Sequence, residues 1–111
     1  DEDGYLVLVD RIKEVIVRGG ESIYPKELED VFHGHADVLE ACVIGRPDDL
    51  YGEVPVAYVV PLPGHALEPD ALRNYCEERL ARYKVPREIN VLNALPKSAT
   101  GKILKPALRA S

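Results

Sequence analysis

The chain has 111 residues, of which 46% are hydrophobic and 30% charged, which is enough for one modest globular domain and too little for a large enzyme. No apolar run approaches the roughly 18 residues that a membrane-spanning helix needs. The formal net charge is −5, and its sign changes along the chain: residues 1–81 carry seven basic and eighteen acidic residues, whereas residues 82–111 carry seven basic residues and one acidic residue. A basic tail on an acidic body is a candidate anion-binding site.

The start of the chain and its cysteine, histidine and aromatic residues narrow the class of protein further. The chain begins with Asp1 and contains no Met, so we expect a segment of a longer protein without a signal peptide. Cys42 and Cys76 lie in apolar patterns, and we interpret them as buried, reduced thiols of a cytoplasmic protein. The three histidines are not at metal-ligand spacing, so no metal site is predicted. The tail has no aromatic residue after Tyr83 and no nucleic-acid motif, which favours a phosphorylated small molecule over nucleic acid.

The elements predicted from apolar periodicity and turn residues alternate between strands and helices. In chain order they are a ribbon of residues 5–9 and 14–18, a helix over 25–34, strands over 38–44 and 54–60, a helix over 70–81, a strand over 87–92 and a helix over 104–109. The ribbon is expected to bend near Asp10, and Gly19-Gly20 after it permits a positive φ or the close approach of a ligand. Pro55 suggests that its strand begins there or lies at an edge.

This order predicts an α+β fold, in which a three-stranded sheet is covered by helices and preceded by a small two-stranded ribbon. The strands over 38–44 and 54–60 are close in sequence and should pair antiparallel. No internal repeat or low-complexity segment interrupts the pattern, so we expect a single domain over residues 1–111.

Lys102 is the strongest candidate functional residue of the basic tail. It follows Gly101 directly, in the segment Pro96–Lys105 that joins an apolar stretch to the last predicted helix. An ammonium group flanked by Thr-Gly has no apolar face to join a core. A flexible four-carbon stem with three donors suits a lysine that reaches towards a phosphate or a carboxylate. The alternative is an ordinary exposed lysine in a loop.

Three segments, taken together, resemble the small C-terminal domain of the acyl-CoA synthetase and adenylate-forming ligase superfamily. They are Asp10–Glu29 with its Gly19-Gly20-Glu21, Val43–Glu53, and Tyr83–Pro86 followed by Leu95–Lys102. They occur in the family's order and at its spacing across nearly the whole chain. The resemblance implies an enzyme that activates a carboxylic acid with ATP and Mg²⁺ and then transfers the acyl group to a thiol, commonly that of coenzyme A. The small domain rotates on a hinge between these two steps.

The resemblance also implies roles for residues on the nucleotide side. Lys102 matches the lysine that enters the active site during adenylation, where it bridges the carboxylate and the α-phosphate or ribose oxygens. Asp10 matches the hinge, and Arg11 matches a residue near the ribose, with Lys13 beside it. Without the resemblance, Asp10 would be interpreted as a residue that ends a strand, and the two basic residues as solvated surface charge.

A second group of residues is expected to face coenzyme A after the rotation. The Gly19-Gly20-Glu21 loop would leave a passage for the pantetheine arm, although the glycines can equally serve a hairpin turn. Aromatic residues would lie near the adenine, and basic residues near the phosphates. The coenzyme A-facing residues are thus Gly19, Gly20, Glu21, Tyr51, Tyr83 and Lys84, with Arg82 as a further candidate for the phosphates.

The sequence leaves three functions open. The first is the C-terminal domain of a fatty-acid or aromatic-acid CoA ligase, which would be inactive alone because the N-terminal adenylation domain, with its acyl pocket, is missing. The second is the equivalent piece of an enzyme that loads a carrier protein. The third is a non-catalytic binding or regulatory module with the same fold, against which the combination of Asp10, Arg11 and Lys102 argues.

Overall fold

The structure is a computed structural model, and it describes residues 15–109. The predicted strand over 5–9, with Asp10, Arg11 and Lys13, lies outside the described residues. Within them the chain forms five strands, three α-helices and one 3-10 turn. In chain order these are β1 (Ile16–Arg18), β2 (Glu21–Ile23), α1 (Pro25–His33), β3 (Val38–Asp48), β4 (Gly52–Pro61), α2 (Pro69–Glu77), the 3-10 turn (Arg82–Lys84), β5 (Glu88–Val91) and α3 (Lys105–Arg109).

The sheet is mixed and is centred on β4. Strands β3 and β4 form a long antiparallel pair from Val38↔Pro61 to Asp48↔Gly52, as the sequence predicts. Strand β5 lies parallel to β4 on the other side, and α2 makes the crossover that a parallel pair needs. The β1–β2 hairpin adjoins the start of β4 through the pair Arg18↔Gly52. The predicted fold class is confirmed: an α+β domain with a three-stranded sheet, helices and a small ribbon before it.

The two faces of the sheet are buried under different parts of the chain, because successive side chains of a strand point to opposite faces. Helices α1 and α2 cover one face, and the segment that follows β5, from Leu92 through α3, covers the other. The first core contains Ile16, Ile23, Leu28, Phe32, Val38, Ala41, Val43, Ala57, Val59, Leu72, Cys76 and Ile89. The second core contains Cys42, Ile44, Val56, Tyr58, Val60, Leu95 and Leu108.

Local chemistry explains where the two longer helices begin. Pro25 and Pro69 occupy first helical positions, where proline has the required φ and the missing N–H has no intrahelical acceptor. Leu28 and Phe32 lie on one face of α1 and pack that face into the first core. On α2, Leu72 packs into the same core.

The ribbon, helix α2 and strand β4 differ in detail from the sequence prediction. The ribbon pairs 16–18 with 21–23 through a turn at Gly19-Gly20, so these glycines form the hairpin itself. Helix α2 ends at Glu77, and the chain then turns towards the 3-10 segment rather than continuing to residue 81. Strand β4 is central, so the interpretation of Pro55 as a strand start or an edge residue was wrong.

The geometry around Pro55 explains why a central strand tolerates it. The N–H of Arg87 donates to the carbonyl of Pro55 (2.8 Å), so that carbonyl points towards the β5 side. The N–H and C=O of one residue in an extended strand point the same way. The missing N–H would therefore lie on the β5 side, where pairing begins only at Val56↔Glu88.

None of the helices within residues 15–109 is long and apolar enough to cross a membrane. In the same range, no group of three or more His, Cys, Asp or Glu side chains is arranged to hold a metal ion.

Candidate functional site

Lys102 lies on a short hairpin that the sequence analysis did not predict. An isolated antiparallel bridge joins Lys97 to Ile103, and the N–H of Ser98 donates to the carbonyl of Lys102 (2.8 Å). The loop turns at Gly101, whose φ of 88° is a conformation that favours glycine. Ile103 is partly buried against the second core. Since neighbouring side chains alternate in a hairpin, Lys102 projects from the opposite side and is exposed.

Polar contacts inside this loop stabilise its shape. The N–H of Gly101 donates to the carbonyl of Ser98 (2.9 Å), which closes a four-residue turn. The Ser98 and Thr100 hydroxyls are 2.9 Å apart, and the N–H of Lys102 donates to the Ser98 Oγ (3.3 Å). A lysine that begins its side chain from such a fixed backbone is well placed to present its ammonium group in one direction.

The three lysines of this segment differ in their electrostatic environment. Lys97 forms an ion pair with Glu40 on β3, and the Lys105 Nζ lies 3.8 Å from Glu29 Oε2 on α1. Within the described part of the chain, no carboxylate lies in ion-pair range of Lys102. Among the described residues, the Lys102 ammonium therefore has no carboxylate that competes with an external anion.

The predicted coenzyme A-facing residues fall into two groups, of which the first surrounds the β1–β2 turn. The N–H of Gly19 donates to the carbonyl of Tyr51 (2.8 Å), and the Arg18 guanidinium lies 3.9 Å from the centre of the Tyr51 ring. Gly20 has a φ of 88° and open space where a Cβ would stand. Glu21 lies opposite Arg18 in the strand register of the hairpin. The structure thus brings Gly19, Gly20, Glu21 and Tyr51 together.

Two carboxylates that the sequence analysis did not single out hold this group in place. Asp48 Oδ2 accepts from the N–H groups of Leu50 (3.0 Å) and Tyr51 (2.9 Å), and Asp48 Oδ1 accepts from Arg87 (3.3 Å). The backbone hydrogen bond from Tyr51 has the largest effect, and with the backbone hydrogen bond from Leu50 and the charge and side-chain hydrogen bond of Arg87 it outweighs burial and lowers the pKa of Asp48. Glu53 Oε1 accepts from the N–H of Val17 on β1 (2.9 Å). Both residues lie within the segment Val43–Glu53, one of the three that resemble the family. That resemblance is the feature of the sequence that could have pointed to them.

The second group, Tyr83 and Lys84, lies in the 3-10 turn beside α1. The Lys84 Nζ donates to both carboxylate oxygens of Glu27 at 3.0 Å, and this hydrogen bond is the main reason why the pKa of Lys84 is raised. Tyr83 is partly buried against the first core. Lys84 is therefore already paired within the domain, unlike Lys102.

The Lys102 hairpin and the Gly19-Gly20 turn are anchored at opposite ends of β3. Lys97 contacts Glu40 near the start of the strand, whereas Asp48 at its end holds the turn beside Gly19. Asp48 is eight positions beyond Glu40 on the strand, which corresponds to about 26 Å at about 3.3 Å per residue. The two candidate sites are therefore separate surfaces on one rigid frame.

Known proteins resemble this chain over most of its length. The model of the AMP-binding enzyme C-terminal domain family matches residues 27–102. The chain is 44% identical over 109 residues to the 2-succinylbenzoate–CoA ligase of Bacillus cytotoxicus, covering 98% of this chain and 22% of the relative. It is 45% identical over 109 residues to the long-chain-fatty-acid–CoA ligase FadD13 of Mycobacterium tuberculosis, with coverages of 98% and 22%.

A solved structure gives the same result in three dimensions. The Mycobacterium tuberculosis fatty acyl CoA synthetase superposes with a TM-score of 0.79 at 44% identity, covering 90% of this chain and 20% of that one. The chain thus spans about a fifth of the length of the proteins it resembles. The family match extends over most of the chain and includes Lys102. This chain therefore belongs to the family of AMP-binding enzyme C-terminal domains.

Proposed function

We propose that this chain is the mobile C-terminal domain of an AMP-forming acyl- or aryl-CoA ligase and acts with the N-terminal adenylation domain of the same enzyme. The observation that carries the proposal is Lys102, an exposed cation on a fixed hairpin whose neighbouring lysines are both neutralised by carboxylates. The names of the relatives support the reaction class, since two of them are CoA ligases.

In the first step, a carboxylate oxygen of the acid attacks the α-phosphorus of ATP, and pyrophosphate leaves. Negative charge accumulates on the α-phosphoryl oxygens, and two anions must approach each other. The Lys102 ammonium stabilises this charge, with Mg²⁺ arriving as part of the ATP substrate. Arg11 and Lys13 contact the nucleotide near its ribose, and rotation about Asp10 brings Lys102 into and out of the site.

In the second step, the thiol of coenzyme A attacks the carbonyl carbon of the acyl-adenylate, and AMP leaves. The turn at Gly19-Gly20 lets the pantetheine arm pass close to the backbone, because the space beside Gly20 is open. Arg18 and Tyr51 offer a cation and an aromatic surface beside it. Tyr83 and Lys84 are assigned to the adenine and phosphates of coenzyme A, for which Lys84 would exchange Glu27 for a phosphate.

For the substrate we propose a class of carboxylic acid, and for the enzyme a cellular compartment. The relatives act, by name, on 2-succinylbenzoate and on long-chain fatty acids, so an aromatic or a fatty acid is proposed for this enzyme. Cys42 and Cys76 are both buried and form no disulfide, which suits a cytoplasmic enzyme.

The first prediction concerns Lys102→Ala in the full-length enzyme. We expect carboxylate-dependent ATP–pyrophosphate exchange to fall by about 10²- to 10³-fold, the usual loss when one charge-stabilising group is removed. Thioester formation from supplied acyl-adenylate should continue, because Lys102 is then outside the active site. The measurement is isotope exchange over a panel of fatty and aromatic acids, followed by a thioester assay with coenzyme A or a carrier protein as acceptor.

Lys26→Ala is the matched control, since Lys26 is an exposed lysine on α1 that pairs only with Asp30 in the described structure. It should leave exchange unchanged, and the 111-residue chain alone should show no exchange. If Lys102→Ala impairs both half-reactions equally, the division of roles is wrong. If the full-length protein shows no exchange with any acid, the non-catalytic module becomes the better interpretation.

A further inference from the structure

Two long-range ion pairs attach the segment that carries Lys102 to the rest of the domain. Lys97 lies at the base of the hairpin and pairs with Glu40, and Lys105 lies just beyond it and pairs with Glu29. The side chains of Glu40, Glu29 and Lys105 are only 26%, 21% and 22% exposed, and that of Lys97 is 37% exposed. These pairs are more shielded from solvent than the Lys26–Asp30 pair on α1, whose side chains are 83% and 60% exposed.

Glu29 is itself fixed by the sheet. Its Oε2 accepts a hydrogen bond from the backbone N–H of Val43 on β3 (2.9 Å). A carboxylate bound to a backbone donor cannot follow a moving lysine, so it defines a fixed point for Lys105. Glu40 lies on β3, so its position is fixed by the pairing of that strand with β4.

The apolar contacts of the same segment leave its tip unsupported. Leu95 and Leu108 are buried and Ile103 is partly buried in the second core, but no residue between Lys97 and Lys102 belongs to either core. Helix α3 has only five residues, so it contributes little stability of its own. The direction in which the hairpin presents Lys102 therefore depends on these two ion pairs as well as on the contact of Ile103 with the second core.

On the basis of the function proposed above, we propose that Glu40 and Glu29 are positioning residues for the adenylation step. They hold the hairpin base through Lys97 and Lys105, and they neutralise these two lysines so that Lys102 is the cation offered to the reacting anions. Neither carboxylate touches the substrate. Their loss should misplace Lys102 by a small distance and leave the Gly19-Gly20 surface, at the other end of β3, unchanged.

The test uses Glu40→Gln, Glu29→Gln and the double variant in the full-length enzyme. Gln keeps the size of each side chain, and at position 29 it keeps an oxygen for the Val43 N–H. We expect the double variant to lower the kcat of ATP–pyrophosphate exchange by roughly 10- to 100-fold, the scale of a small misplacement. The KM for ATP should change much less, and thioester formation from supplied acyl-adenylate should be unchanged.

Two further variants separate positioning from stability. Asp30→Asn removes a carboxylate next to Glu29 that pairs only with Lys26 in the described structure, and it should leave both half-reactions unchanged. The exchanged pair Glu40→Lys with Lys97→Glu restores the attraction with reversed charges. It should recover most of the exchange that Glu40→Gln loses, which a general loss of stability would not explain.

The outcomes also separate this inference from the proposed function. Lys102→Ala in the same assay establishes whether Lys102 serves the first step at all. If it abolishes exchange while the double Gln variant, folded by its urea unfolding curve, exchanges at the wild-type rate, the positioning role is overturned and the function stands. Equal losses in both half-reactions, or no recovery in the exchanged pair, would also overturn it.

Discussion

Asp48 shows how one carboxylate can organise a surface that it does not itself occupy. It accepts the N–H groups of Leu50 and Tyr51, and Tyr51 in turn accepts the N–H of Gly19. Lys102 was a candidate from the sequence because an ammonium group flanked by Thr-Gly has no apolar face to join a core. Asp48 and Glu53 were not candidates, because the contacts by which they hold the turn and β1 come from backbone N–H groups, and a backbone donor leaves no mark in the sequence.

Asp48 leads to a prediction about pH and stability. Asp48→Asn keeps an oxygen for the turn but loses the charge that attracts Arg87. Because the folded pKa is lowered, the stabilisation from the charge is present above the ordinary value of 3.8 and is lost as the pH falls through the folded pKa. In urea unfolding of this chain, wild type should exceed Asp48→Asn in stability at neutral pH, and the difference should shrink below pH 3.8.

Asp49→Asn is the matched control, because it removes a neighbouring carboxylate for which the structure gives no such contacts. Its unfolding midpoint should track that of wild type at every pH. If Asp48→Asn remains less stable than wild type by the same amount far below pH 3.8, the turn depends on the shape of the side chain rather than on its charge.

The elements that the sequence predicted well are those whose burial is regular. Strands β3 and β4 and helices α1 and α2 each present a repeating apolar face, so their existence followed from periodicity. Strand β2 has three residues, and the Lys102 hairpin pairs through a single bridge, so neither contains a full period. Strand β3 also continues through Pro47 to Asp48, beyond its predicted end at residue 44. Because β3 is an edge strand, the proline does not interrupt a second ladder.

The Lys102 hairpin gives a prediction with a natural control. Gly101 and Gly64 have φ values of 88° and 80°, and both have open space around the position of a Cβ. Replacing either by Ala should therefore destabilise the domain equally, by about 1–2 kcal/mol, through backbone strain alone. Only Gly101→Ala should lower ATP–pyrophosphate exchange in the full-length enzyme, since Gly64 lies in the loop after β4, whereas Gly101 lies in the hairpin.

Urea unfolding of the two variants provides the comparison, with exchange measured on the same preparations. Equal exchange rates for Gly101→Ala and Gly64→Ala would mean that the shape of the hairpin does not limit the first step. Unequal stabilities would mean that the hairpin relaxes to accommodate the new methyl group.

At the scale of the whole molecule, β3 and β4 supply side chains to both cores, so neither core can be lost while the other stays intact. Val43 and Ala57 face the helices α1 and α2, while Cys42 and Val56 face the C-terminal segment. The sequence predicted helices over the sheet but not this division, since the alternation along each strand shows two apolar faces without showing which segment covers which.

The two cysteines report on this cooperativity, because Cys42 is in one core and Cys76 in the other, and both are fully buried. We expect an alkylating reagent to modify both thiols at the same slow rate, set by global unfolding. Burial also raises the pKa of Cys76 from 9.0 to about 11. The stability that the buried Cys76 thiol contributes is therefore present below pH 9.0 and is lost as the pH rises towards about 11. The Cys76→Ala variant should not show this loss.

Mass spectrometry of the partly modified protein measures the two rates separately. Faster modification of Cys42 would show that the C-terminal segment opens by itself, and with it the Lys102 hairpin.

The same division has a consequence for handling the protein under oxidising conditions. Cys42 and Cys76 lie on opposite sides of the β-sheet, and a disulfide needs Cα atoms less than about 7 Å apart. The native fold cannot accommodate that bond, yet the unfolded chain, with 33 residues between the two cysteines, can close it readily. A chain oxidised before it folds would carry a crosslink that prevents the native sheet from forming. Refolding should therefore succeed with a reductant present and stall without one.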